Sequence, residues 1–158
     1  MSASEHRVAP PDAGAVSDER LALIADSHSR LTGRALVVPS GDLRAALWKA
    51  RTVIVAHGTE ADPVFFYGNR LALALFEMDW TAFVQMPSRL SAEPLLREER
   101  ARVLERVARD GHIGDYAGIR ISSSGKRFRI ERAAVWNLID AFGMCHGQAA
   151  AFDHWTAA

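Results

Sequence analysis

Three residues in the first half of the chain have side chains suited to proton transfer and stand close together in sequence: His57, Asp62 and Tyr67. His57 ends the β-branched segment VIVAH and is followed by Gly58-Thr59. Its imidazole can donate to Asp62, either pinning a turn or acting as a general base. Turn-pinning is the preferred reading, because strand ends commonly carry such structural hydrogen bonds. Tyr67 can aim its hydroxyl into a cavity, and Asn69, two residues on, is read first as a helix cap. No nucleophile elbow, paired-carboxylate pattern or zinc-like ligand spacing accompanies them.

A second candidate lies in RFRIERAAVWNLI, where Phe128, Ile130, Ala134, Trp136 and Leu138 share one parity with Arg132. A guanidinium on an apolar sheet face is costly unless paired, so Arg132 requires a carboxylate from the protein or from a ligand. The alternative is a β-bulge at Glu131-Arg132 that turns the arginine outward. Arg120, opposite in parity to Ile119 and Ile121, is expected on the exposed sheet face. Arg89, between Ser88 and Ser91, is placed either in a buried polar network or against an anion. Trp80, Trp136 and Phe83 read as core residues first and pocket lining second.

These side chains must be positioned by the elements around them. Residues 1–16 lack periodicity and are rich in Ala, Pro, Ser and Gly, and are expected to be a disordered tail. Ser17 begins an N-terminal helical segment, 17–50, with Leu21, Ile24, His28 and Leu31 on one face, Gly33 as a stop, and a second helix near residues 42–50. The main domain, 51–158, opens with strands at 53–57 and 63–67. Gly68 is expected to permit a sharp bend and Asn69 to cap the adjoining helix. A short helix from Asp79 and a longer one from Pro94 to about Asp110 come next. Glu98–Arg102 and Glu105–Arg109 give the long helix a solvated, charge-paired face. Strands at 113–122, 126–139 and 147–155 complete an α+β fold, a five-stranded antiparallel sheet with helices packed on one face.

Composition excludes several classes. Nineteen Lys and Arg balance nineteen Asp and Glu, so no global field draws the protein to nucleic acid or anionic membrane. The single cysteine, Cys145, rules out an intrachain disulfide and fits a cytoplasmic location. The start has no apolar signal region, and the apolar run at 71–76 is too short to span a bilayer.

The segments DPVFFYGNRLALALFEMDW, PSRLSAEP, REERARVLERV, YAGIRISSSGKRFRIERAAVWNLID and GQAAAF resemble, in order, those of the MEKHLA family of PAS-like domains. The resemblance covers about 21–155, with departures at Phe66 and His112. It implies a sensory or ligand-binding domain and leaves the cofactor unassigned. The light-sensing PAS branch uses a Cys in an Asn-Cys-Arg helix motif, which this chain lacks. His112, just beyond the long helix, is near where PAS haem ligands arise, but a histidine beside a capping glycine is read as exposed.

Three functions are expected. The first is a sensor acting in trans, with Arg132, Tyr67 and Arg89 orienting a small polar or acidic ligand and the first helix making a homodimer or partner contact; His28, on the apolar face of that helix, is read as part of a helix-to-helix or dimer contact. The second is a small enzyme using His57, Asp62 and Tyr67 for metal-independent acid–base chemistry. The third is an interaction module whose cavity is filled by Phe66 and Trp136.

Overall fold

A computed structural model describes residues 9–158, apart from the side chains of 94–97. The first four helices begin where a short polar side chain satisfies a free N–H group. Ser17 caps α1 (Asp18–Thr32), Asp42 caps α2 (Leu43–Lys49), Asn69 caps α3 (Arg70–Phe76) and Asp79 caps α4 (Trp80–Phe83). A 3-10 turn at Ser88–Ser91 leads to α5 (Pro94–Asp110), which has Pro in its first turn.

The strands are β1 (Val53–His57), β2 (Phe65–Gly68), β3 (His112–Ile121), β4 (Arg127–Ile139), β5 (Cys145–Phe152) and β6 (His154–Ala157). All pairings are antiparallel, in the order β2-β1-β5-β4-β3. The expected last strand is interrupted at Asp153, and its final piece, β6, pairs with the first half of β4. The central strand β5 is built of small residues, with Ala149, Ala150 and Ala151 in succession.

Both sheet faces are covered. On the inner face Val53, Val55, Phe65, Phe128, Ile130, Ala133 and Val135 pack with residues of α3, α4 and α5. On the outer face Ile54, Ala56, Tyr67, Trp136 and Leu138 pack with Leu21 and Ile24 of α1 and Leu47 of α2. The face of α1 that carries Leu21, Ile24 and His28 is therefore packed within the chain. Trp136 Nε1 donates to the Ile24 carbonyl at 3.2 Å, Ile139 N–H donates to Ser27 Oγ at 2.8 Å, and the His28 ring meets Trp136 edge-on at 4.7 Å.

The tail expectation needs correction for residues 9–16: Val16 is buried, Asp12 closes a turn on Gly14 and Ala15, and Arg44 donates to the Pro11 carbonyl. Residues 1–8 lie outside the described part. Gly68 also differs from expectation. Its φ is not positive, and what it supplies is space, since a Cβ there would stand 2.6 Å from the Phe83 ring.

Candidate functional site

Three register shifts decide which side chains face the hollow between the sheet and its helices. One at Phe66 separates the pairs Ala56–Tyr67 and His57–Phe65. The other two flank Tyr116 in the β3–β4 ladder, and the second coincides with Arg132 at φ 52°. Each adds a residue to one strand and so reverses inward and outward for the residues beyond it.

The consequences overturn several sequence expectations. Arg132 is exposed, turned out by its bulge, and makes no wall of the cavity. Beyond it, Trp136 and Leu138 belong to the outer face, while Phe128 and Ile130 before it belong to the inner one. Tyr67 is likewise outside the hollow, packed edge-on against the half-buried Trp80 at 5.8 Å. Its buried hydroxyl has no hydrogen-bond partner, and burial drives its pKa well above the usual phenol range. Phe66 lies on that same outer side beneath the Arg20 guanidinium, so neither it nor Trp136 fills the cavity. His112 pairs with Trp136 and is also absent from the cavity wall.

Asn69 is structural. Its Oδ1 accepts from the N–H groups of Ala72 and Ile54, and its Nδ2 donates to the carbonyls of Leu47 and Thr52. Arg89 is half-exposed and pairs with both carboxylate oxygens of Asp62 at 3.1 Å. His57, Asp62 and Tyr67 are thus three separate environments: the cavity, the surface and the far face of the sheet. His57 does not pin its turn through Asp62; its Nδ1 instead contacts the Gly58 carbonyl at 2.9 Å.

The cavity is small, about 60 Å³, with room for roughly four to six waters. Apolar side chains from every side line it, among them Val55, Phe65, Phe76, Val103, Leu104, Ile130 and Phe152. Among the described residues six polar side chains interrupt that lining: Arg100, Arg120, His57, Gln148, Ser91 and Tyr116.

Arg120 was expected outside, yet it is only 9% exposed. It pairs with Phe128 across the β3–β4 hairpin, and residues directly opposite share a face. Its Nη1 donates to the Ile119 carbonyl at 2.8 Å and its Nη2 to the Tyr116 hydroxyl at 2.7 Å. Gly118 sits between them on the strand. A Cβ there would lie inside van der Waals contact of the Tyr116 hydroxyl, so the glycine makes space for this bond.

Arg100 enters from α5, one turn before Val103 and Leu104 and two before Val107, and donates to Ser88 Oγ at 2.9 Å. Burial, reinforced by the positive charge of Arg120, pushes its pKa down to about 10, so it remains a cation at neutral pH. Among the described residues no carboxylate forms an ion pair with either arginine.

His57 and Gln148 stand side by side on β1 and β5, each 8% exposed. Burial above all lowers the His57 pKa, so the ring is neutral at pH 7. The signal for Arg100 was present in the sequence as the i, i+3, i+4, i+7 stripe of Arg100, Val103, Leu104 and Val107. For Arg120 it was the hairpin arithmetic across Ser122–Gly125.

An antiparallel sheet in the order β2-β1-β5-β4-β3, crossed on one face by short helices and one long one over a partly enclosed hollow, defines a PAS-like fold. The MEKHLA domain family model matches residues 18–157, and the chain belongs to that family. Among solved structures, the PAS domain of a protein from Colwellia psychrerythraea is 13% identical, with a TM-score of 0.57, covering 71% of this chain and 90% of that one. An RNA-binding light-oxygen-voltage receptor is 14% identical at a TM-score of 0.57, covering 67% of this chain and 30% of the receptor. A light-oxygen-voltage domain studied with a flavin analogue is 16% identical at 0.52, covering 71% and 81%. At such identities the likeness concerns the fold alone. No curated protein matches the chain significantly. No described helix is long and apolar enough to cross a membrane.

Proposed function

We propose that this chain is a ligand-binding sensory module whose ligand is a small carboxylate held between Arg100 and Arg120. One observation carries the reading: two largely buried guanidiniums converge on an apolar cavity and pair with no carboxylate among the described residues. Buried like charges without a counter-ion oppose folding, and an anion between them removes that penalty. The role assigned by sequence to Arg132 and Arg89 passes to these two residues, whereas the class of ligand stays the same.

Signal leaves through the back of the sheet. Gln148 in the cavity wall donates to Asn137 Oδ1 at 3.0 Å, and Trp136, the next residue, holds α1 through the Ile24 carbonyl. A ligand that shifts the β4–β5 register alters the seat of α1, and the outer surface of that helix presents the change to a second copy or a partner in trans.

The test is calorimetric titration with propanoate and butanoate, alongside thermal melting, for the wild type and Arg100→Met. The variant is expected to lose binding while melting at a higher temperature without ligand, because an uncompensated buried charge is gone. Absence of binding to the wild type, or a variant that melts lower and still binds, overturns the reading.

A further inference from the structure

We infer that the cavity selects a three-carbon hydroxy-carboxylate over the oxo, amino and unsubstituted acids of the same length, because two acceptors on its lining residues His57 and Gln148 are buried without a hydrogen-bond partner. This rests on the carboxylate reading above and adds the chemistry of the ligand's other end.

The polarity of the wall is set by a chain of hydrogen bonds. Asn137 Nδ2 donates to the Val107 carbonyl at 2.9 Å, so its Oδ1 is an acceptor. Gln148 Nε2 donates to that oxygen and to the Leu104 carbonyl at 3.2 Å, which fixes the amide orientation and leaves Oε1 without a partner. On the neighbouring strand, the Gly58 carbonyl can only accept, so the His57 proton resides on Nδ1. Nε2 of His57 is then a bare lone pair, also buried and unpartnered. Burial keeps the ring in this neutral form.

Two adjacent acceptors require a donor. A hydroxyl supplies one without charge. An ammonium group also supplies donors, but among the described residues no carboxylate lines the cavity, and Arg100 and Arg120 repel a cation. An oxo group offers only another acceptor, and a plain alkyl chain leaves both lone pairs unmet. The volume of about 60 Å³, room for roughly four to six water-sized atoms, limits a hydroxy acid to about three carbons. Inorganic phosphate matches the arginines but leaves the apolar lining without a partner.

The experiment is a calorimetric titration of the full chain with propanoate, butanoate, their hydroxy and oxo derivatives with the substituent at each available carbon, β-alanine and inorganic phosphate. At least one hydroxy acid is expected to bind roughly tenfold or more tighter than its oxo and unsubstituted counterparts. In His57→Leu that preference should fall to less than about threefold, chiefly because the unsubstituted acids bind tighter once an unmet lone pair is gone. Equal binding of hydroxy, oxo and unsubstituted acids overturns this inference and leaves the arginine reading standing. Tighter binding of β-alanine or phosphate overturns it as well. No binding by any carboxylate overturns both readings, and the wild-type series decides the matter even where the variant does not fold.

Discussion

The Tyr116 hydroxyl accepts a hydrogen bond from Arg120 at 2.7 Å, and the same guanidinium lies 5.2 Å from the centre of the Tyr116 ring. One residue thus supplies both a bond and a ring to a cation buried in the inner face of the sheet. Tyr116→Phe removes the bond and leaves a guanidinium N–H unmet. It is expected to cost about 1–3 kcal/mol in urea unfolding and to weaken carboxylate binding severalfold.

Gly118→Ala disturbs the same pair from the other side, since the new methyl occupies the place of the hydroxyl. A loss of about 1–3 kcal/mol is expected, as for overpacking elsewhere. Combined with Tyr116→Phe, part of the clash is relieved, so the double variant should be less destabilised than the sum. Additive losses in a double-mutant cycle would separate the two residues.

Acid should weaken the fold in a defined window. His28 and His57 both have pKa values lowered chiefly by burial from the ordinary 6.5. The unfolded chain therefore binds protons more readily than the folded one as pH falls below about 6.5. Stability is full above that value, declines beneath it, and levels once the folded-state values are passed. The slope cannot exceed about 1.4 kcal/mol per pH unit for each histidine. Glu77, held near 2 by Ser124, Lys126 and Ser122, and Asp140, lowered chiefly by His146, contribute only at still lower pH. Urea midpoints measured from pH 8 to 5 check the window, and His57→Leu should flatten it.

Tyr67 and Asn69, two residues apart, should respond in opposite ways. Tyr67→Phe deletes a buried hydroxyl that bonds to nothing, so stability should be unchanged or rise by up to about 1 kcal/mol. Asn69→Asp keeps the cap of α3 but sets a carboxylate against the carbonyls of Leu47 and Thr52. A loss of about 3 kcal/mol or more is expected in thermal or urea melts.

Arg132→Gly tests the discarded inward arginine. At φ 52° a glycine avoids the strain of a side chain, and the exposed guanidinium carries no ion pair among the described residues. The variant should gain up to about 1 kcal/mol and bind carboxylates as the wild type does.

The caps at Ser17 and Asn69, the helix start at Asp79, the proline opening α5 and the break between the strands ending at 122 and beginning at 126 were legible, because each is a local signal with a local cause. The facing of side chains was not. Parity carried from Phe128 to Leu138 assumes an unbroken strand, and the extra residue at Arg132 breaks it. The same fault at Phe66 moved Tyr67 to the other side of the sheet. A bulge has no fixed sequence signature of its own, so only the pairing partner reveals it. Arg100 and Arg120 were hidden differently: a charged helix masked one, and flanking isoleucines masked the other.

The run of alanines in β5 sets how deep the hollow is. Ala150 lies between Val55 and Val135 on the inner face, and its single methyl leaves the floor low. That position works as a length gauge: under the proposed function, Ala150→Leu would raise the floor and close the hollow to a carboxylate. Such a variant keeps its back surface and its helix, so it would part the filling of the hollow from whatever docks behind the sheet.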